Sequence, residues 1–272
     1  MKMVIFTDLD GSLLNHDDYS FGGARSSLAR IKRFGIPLIF TTSKTRTEVE
    51  LLQEEMKIRE PFIIENGAAI FFPFGYEGWD LKIGAPMPPY HLIRLGKPYP
   101  EIRSFLKKVR IPFGIRGFGD MTVREIANLA GLPKEKAKLA KKREFTEPFL
   151  IDGNGDIDRL RELASHKDIK ITKGGRFYHF IGAGQDKGEA VRITKTIFRQ
   201  RTEEDMVFVG IGDSANDMPM LENVAIPVLI PHPDGSYEEI DVANLIRAVH
   251  PGSIGWNEAM ESILDDFERN HT

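Results

Sequence analysis

Along the N-terminal part of the chain, apolar residues come in short runs, each closed by small polar or acidic residues. Val4-Ile5-Phe6 runs into Asp8-Leu9-Asp10-Gly11-Ser12, Ile36-Pro37-Leu38-Ile39-Phe40 into Thr41-Thr42-Ser43, and Phe62-Ile63-Ile64 into Glu65-Asn66-Gly67. Runs this short, rich in β-branched and aromatic residues, predict buried parallel strands. Between them, residues 22–34 carry Leu28, Ile31 and Phe34 at helical spacing and stop at Gly35, and residues 45–56 predict a second helix. Ala69-Ile70-Phe71-Phe72 before Pro73 suggests a short hairpin partner. The alternation returns late in the chain. A helix over 187–199 precedes the strand Met206-Val207-Phe208-Val209-Gly210-Ile211, which closes in Gly212-Asp213-Ser214-Ala215-Asn216-Asp217. A helix over 215–222, a strand over 225–230 and an amphipathic helix over 255–267 follow. Strands and helices in this order predict an α/β fold with an open, mostly parallel sheet.

Residues 83–183 have a different texture. Pro and Gly clusters (Gly84 to Pro89, Gly114 to Gly119) separate helices predicted over 101–109, 122–130 and 156–165 from strands over 147–151, 169–172 and 177–180. We expect an inserted α+β domain there, with 1–82 and 184–272 forming the first domain. The glycines around Arg116 to Asp120 suggest a mobile substrate loop.

Composition leaves this reading in place and narrows its setting. The 272 residues are 41% apolar, enough for one large core or two smaller ones. A formal charge of -3, with Lys and Arg interspersed among Glu and Asp, gives no basic footprint for nucleic acid. The chain has no cysteine, which excludes disulfides and thiolate chemistry, and no early apolar stretch reaches the length of a signal-peptide core or a membrane span. We expect a cytoplasmic protein without nucleic-acid or membrane partners. Asn270-His271-Thr272 matches the glycosylation acceptor pattern, but without a secretion signal it reads as chance.

The two acidic clusters carry the chemistry. Open α/β sheets build their sites at the carboxyl ends of strands, and carboxylates gathered there need a cation among them or retained protons. In Asp8-Leu9-Asp10, Asp8 suits a nucleophile attacking phosphorus and Asp10 the general acid for the leaving alkoxide, later the base for the incoming water. Mg2+, which prefers hard oxygen donors, would be held by Asp8, Asp213 and the Asp10 backbone carbonyl. Ser214 reads as a helix cap. Asn216 and Asp217 read equally as caps or as groups that orient Asp213 and metal-bound water from behind. Thr42 and Ser43 at the end of the second strand, with the Lys187 ammonium, would neutralise the phosphoryl oxygens. A lysine opening a helix opposes the helix dipole, and that local cost beside acidic strand ends is a hint of function.

Asp8-Leu9-Asp10-Gly11, Thr42-Ser43, Lys187 and Gly212-Asp213-x-x-Asn216-Asp217, in this order around a large insertion, resemble the haloacid dehalogenase superfamily of phosphatases. Glu65-Asn66-Gly67-Ala68 ahead of the insertion is similar to the subgroup with a C2B-type cap. The resemblance implies a Rossmann-like core with a parallel sheet, Mg2+, an aspartyl-phosphate intermediate and an α+β cap that sets substrate specificity. More narrowly, Ser43-Lys44-Thr45-Arg46, Gly117 to Thr122, Arg143 to Phe149 and Gly174 to His179 resemble the mannosyl-3-phosphoglycerate phosphatase family. Ser43-Lys44-Thr45-Arg46 stands where the subgroup usually has Thr-Gly-Arg, and Ser12 where many members have Thr. The implied substrate is a small phosphorylated sugar-glycerate, released as mannosylglycerate and phosphate. For its carboxylate and hydroxyls, Arg143 and Arg176 offer forked donors, His179, Glu144 and Glu147 offer mixed partners, and Lys44 lies near the reacting end. The glucosyl analogue or another sugar phosphate is the alternative within this class. A catalytically silent sugar-phosphate binding protein is the alternative outside it.

Overall fold

The computed structural model describes residues 1–152, 155–174 and 176–269. The 270–272 tripeptide and Gly175 of the Gly174-to-His179 motif lie outside them. The chain forms two compact units, one of Met1–Thr42, Glu60–Ile63 and Asp186–Thr272, the other of Ser43–Arg59 and Ile64–Gln185.

In the first unit the Lys2–Thr7 strand is central. It pairs in parallel with Met206–Gly212 on one side and Leu38–Thr41 on the other. Phe62–Ile64 continues the sheet beyond Leu38–Thr41, and Ile226–Leu229 followed by Ile246–Arg247 continues it beyond Met206–Gly212. Sheets covered on both faces need apolar residues without alternation. Val4, Ile5, Phe6, Val209, Ile211, Val228 and Leu229 are accordingly all fully buried. The helix Arg25–Arg33 packs against Gly252–Arg269, which buries Trp256 completely, and Lys187–Arg199 packs against Met218–Leu221. Because the chain leaves the central strand toward Leu38–Thr41 first and reaches Met206–Gly212 only later, the strand order reverses at Lys2–Thr7, the kind of point where open α/β sheets bind ligands.

In the second unit Ala69–Pro73 pairs antiparallel with Tyr90–Arg94, which pairs with Ala85–Met87. A separate antiparallel sheet runs Ile115–Gly117, Glu147–Ile151, Phe177–Gly182, Ile169–Gly174. Alternation along its strands divides its residues between two cores. Phe149 and Phe180 join Ile102, Leu106 and Leu160 from the helices Tyr99–Val109 and Ile157–Ser165, whereas Leu150 and Phe177 join Phe118, Met121 and Ile126.

Several elements differ from expectation. The 114–119 glycine cluster holds the edge strand Ile115–Gly117 and a 3-10 turn over Phe118–Asp120 instead of a free loop. Strands Ala85–Met87 and Tyr90–Arg94 occupy a stretch that reads as Pro- and Gly-rich connection. The 215–222 helix is a 3-10 turn over Ala215–Asp217 followed by the short Met218–Leu221 helix. Residues 43–59 and 64–82 pack with the second unit, where 1–82 is expected to belong to the first. The cause is local. The Arg46–Met56 helix is tied to later residues of that unit by Thr45 Oγ1 donating to the Leu139 carbonyl (3.1 Å) and by Arg46 Nε on Glu144 (2.8 Å), and Ala69–Pro73 finds a partner in Tyr90–Arg94.

Candidate active site

Register brings the two acidic clusters together. Thr7 lies opposite Ile211, and the Asp8 amide donates to the Ile211 carbonyl (2.8 Å), so Asp8 and Asp213 leave adjacent strand ends one step apart. Beyond Asp8 the chain folds back tightly, with the amides of Ser12 and Leu14 on the Leu9 carbonyl. Gly11 sits at φ +82°, and a Cβ there would meet Asp213 Oδ2 at 2.4 Å. Glycine is required both by that backbone conformation and by the approach of the second cluster. Ser12 Oγ donates to Asp213 Oδ1 at 3.4 Å. Thr42 is buried at the end of the neighbouring strand, its amide on the Ile63 carbonyl.

Lys187 is 1% exposed, and its Nζ lies 2.5 Å from Asp8 Oδ1 and 2.6 Å from Asp217 Oδ1. Its unfavourable place at a helix start is offset by Asp186, whose carboxylate caps the Glu189 amide (2.8 Å). Asp217 caps the turn and also reaches Lys187. Its Oδ2 accepts from the amides of Asp213 (3.1 Å) and Ser214 (3.2 Å), while its Oδ1 holds Lys187. Asn216 Oδ1 accepts from the Ser214 hydroxyl at 2.6 Å. A further prop carried no signal in sequence. The Trp256 indole donates to Thr7 Oγ1 (2.9 Å), which donates to the Asp8 carbonyl (2.7 Å).

The charges here are not balanced. Burial pushes the Asp8 carboxyl up to about 7 against the opposing pull of Lys187, with Asp217 and Asp10 adding to the rise. Asp213 is raised well above the usual carboxylate range by burial and by Asp8 and Asp217. Lys187 is held above the usual lysine range, burial being outweighed by Asp217 and Asp8. One oxygen from each of Asp8, Asp213 and Asp217 falls within 4.8 Å of the others, a group that could hold a divalent cation. Asp217 already directs its oxygens to Lys187 and two amides, Asp8 Oδ1 is likewise engaged by Lys187, and Asp213 Oδ1 accepts from Ser12 Oγ. An oxygen-only donor set suits a hard cation.

In the second unit, Arg143 donates from Nε to the Ala140 carbonyl (3.0 Å) and from Nη1 to the Ser43 carbonyl (2.7 Å). Its charge reaches His179, whose pKa burial pushes down to about 3, Arg143 adding to the drop; the imidazole is therefore neutral, and its buried Nδ1 has no hydrogen-bond partner among the described residues. His179 faces away from the core built on Tyr178 and Phe180. Lys44 lies 3.8 Å from Glu48. Arg176 is exposed, bonded to the Leu129 carbonyl (2.8 Å). Glu147 is not available to substrate hydroxyls. It is fully buried and committed to Tyr99 Oη (2.5 Å), Arg103 Nη1 (2.8 Å) and the Gly119 amide (2.8 Å). Glu144 is engaged by Arg46.

Residues 5–78 match the haloacid dehalogenase-like hydrolase family. Over 267 residues, 98% of this chain and 99% of the other, the sequence is 55% identical to the glucosyl-3-phosphoglycerate/mannosyl-3-phosphoglycerate phosphatase of Persephonella marina. This chain belongs to the mannosyl-3-phosphoglycerate phosphatase family of haloacid dehalogenase-like hydrolases. The family's mannosyl-3-phosphoglycerate phosphatase from Pyrococcus horikoshii is 35% identical over 82% of this chain and 88% of its own. A haloacid dehalogenase phosphatase structure from Bacteroides thetaiotaomicron, 19% identical, shares the fold with a TM-score of 0.66 over 96% of this chain and 95% of that one. Among the described residues, no helix is long and apolar enough to cross a membrane.

Proposed function

We propose that this protein is a cytoplasmic, Mg2+-dependent phosphatase that hydrolyses both mannosyl-3-phosphoglycerate and glucosyl-3-phosphoglycerate. The observation that carries the chemistry is the buried Lys187 between Asp8 and Asp217, with Asp213 beside them. The double name of the Persephonella marina relative favours both sugars. The Asp8 carboxylate attacks phosphorus and the ester oxygen leaves with a proton from Asp10. A water deprotonated by Asp10 then opens the aspartyl phosphate, releasing phosphate and regenerating Asp8. Lys187, Thr42 and Ser43 bind phosphoryl oxygens, and Asn216 and Asp217 keep Asp213 in place. Asp8, Asp213 and the Asp10 carbonyl would hold Mg2+, which when bound would supply charge neutralisation on the phosphoryl group. The second unit supplies specificity. Arg143 takes the glycerate carboxylate and His179 a hydroxyl, with Lys44 and Arg176 as further contacts.

Phosphate release with Mg2+ from mannosyl-3-phosphoglycerate, its glucosyl analogue, mannose 6-phosphate and 3-phosphoglycerate tests this. We expect comparable kcat/KM for the two hexosyl-3-phosphoglycerates, far above the other two. A flat profile would remove the substrate assignment and keep the phosphatase. Absence of turnover on all four would favour the silent binding protein.

A further inference from the structure

Four segments far apart in sequence are tied together in the second unit, and one residue joins them. Glu65 is fully buried. Its Oε1 accepts the Glu144 amide (2.8 Å), and its Oε2 accepts the amides of Phe145 (3.2 Å) and Thr146 (2.8 Å) together with Thr146 Oγ1 (2.6 Å). The Glu65 amide in turn donates to the Lys44 carbonyl (3.0 Å), and its carbonyl accepts from Gln185 Nε2 (2.9 Å). Glu65 and Asn66 both hold left-handed backbone, at φ +48° and +60°. Such a conformation is uncommon for glutamate and persists where the surroundings over-determine it. Three successive amides converging on one carboxylate are an anion-binding arrangement filled by the protein's own side chain. The segment held in this way begins immediately after Arg143, whose Nη1 reaches back to the Ser43 carbonyl beside Lys44.

We propose that Glu65 is a positioning residue for substrate recognition: by clamping the 144–146 backbone to the Ser43-Lys44 segment, it fixes where the Arg143 guanidinium meets an anionic group of the substrate. This rests on the reading above that Arg143 contacts the substrate. Replacing Glu65 by Gln keeps the volume but turns one acceptor into a donor facing amides that also donate, so the clamp opens at one end.

The test compares Glu65→Gln, the milder Thr146→Val and Arg143→Ala, alone and as the Glu65→Gln/Arg143→Ala pair, on mannosyl-3-phosphoglycerate and on p-nitrophenyl phosphate, which lacks a carboxylate. We expect Arg143→Ala to raise KM for mannosyl-3-phosphoglycerate. Glu65→Gln should lower the ratio of kcat/KM for mannosyl-3-phosphoglycerate to that for p-nitrophenyl phosphate roughly tenfold, the scale of one misplaced charge-assisted hydrogen bond. Thr146→Val should move the ratio the same way by less, and the double variant should be little worse than Arg143→Ala. An unchanged ratio in both Glu65→Gln and Thr146→Val, beside a raised KM in Arg143→Ala, overturns the proposal and leaves the role of Arg143 standing. Fully additive effects overturn it as well. A silent Arg143→Ala removes the reading on which the proposal rests, and the proposal with it.

Discussion

Each unit buries carboxylates, and the two treat them in opposite ways. In the second unit Glu65 and Glu147 are raised by burial, and the next largest influences work to lower them: Arg143, Thr146 and backbone amides at Glu65, Tyr99, Gly119 and Arg103 at Glu147. In the first unit burial raises Asp8 and Asp213, and neighbouring carboxylates push them further, with Lys187 as the opposing cation. One arrangement is saturated, the other is short of positive charge. A saturated carboxylate is a fixed part of the fold, because its donors are already spent. An under-neutralised cluster favours whatever supplies charge, whether a proton, a metal ion or the ammonium it already holds. The same functional group is thus a fixed part of the fold in one unit and a seat for added positive charge in the other.

The largest effect expected is at Asp8. Asp8→Asn removes the nucleophile and one charge from the crowded cluster while keeping the side chain's shape. We expect kcat to fall by about 10³-fold or more, while metal-free thermal unfolding moves upward because the repulsion is relieved. Turnover measured beside Tm checks both. A variant that loses activity and metal-free stability together would place Asp8 among the saturated carboxylates and break the contrast.

Glu147→Gln is the counterpart in the second unit. Gln can keep its oxygen on Arg103 and the Gly119 amide and donate its NH2 to Tyr99 Oη, but Arg103 loses a buried negative charge and is left with Asp120 alone. Weakening the charge-assisted bonds in this way costs about 2 kcal/mol, readable as a shift of the urea midpoint. Added Mg2+ should not offset the loss.

The first unit was far more legible in sequence than the second, for the same physical reason. Strands buried on both faces write themselves as unbroken apolar runs, and the acidic residues that close them are neighbours in the chain, so Asp8, Asp10, Asp213 and their sheet were readable. Lys187 stood out because its charge opposed its helix. The clamp at Glu65 had no such signature. The partners of its carboxylate lie 79 to 81 residues away and are mostly backbone amides, which every residue carries. Glu147 looked available because nothing in the sequence shows that Tyr99, Arg103 and Gly119 converge on it. Ala85–Met87, Tyr90–Arg94 and Ile115–Gly117 are short strands next to Pro or Gly, too brief for alternation to register.

The smallest effect, and the one that separates the two kinds of carboxylate most sharply, is the pH dependence of stability. A carboxyl whose folded pKa is raised keeps its proton where the unfolded chain has lost it, so the folded state binds more protons between the two values and stability falls as pH rises across that window. For Asp8 the window runs from 3.8 to about 7, and above it the loss is complete and flat. Lys187 adds no slope there, since a lysine raised by its partners contributes fully below its unfolded value. Each such carboxyl contributes at most about 1.4 kcal/mol per pH unit. Metal-free protein should therefore gain Tm on acidification from pH 8 to pH 6, and saturating Mg2+ should flatten that gain by replacing the proton with a cation. The contribution of Glu65 and Glu147, which also rises on acidification, has no reason to respond to the metal. An identical pH slope with and without Mg2+ would mean that the first unit's carboxylates are as self-sufficient as the second's.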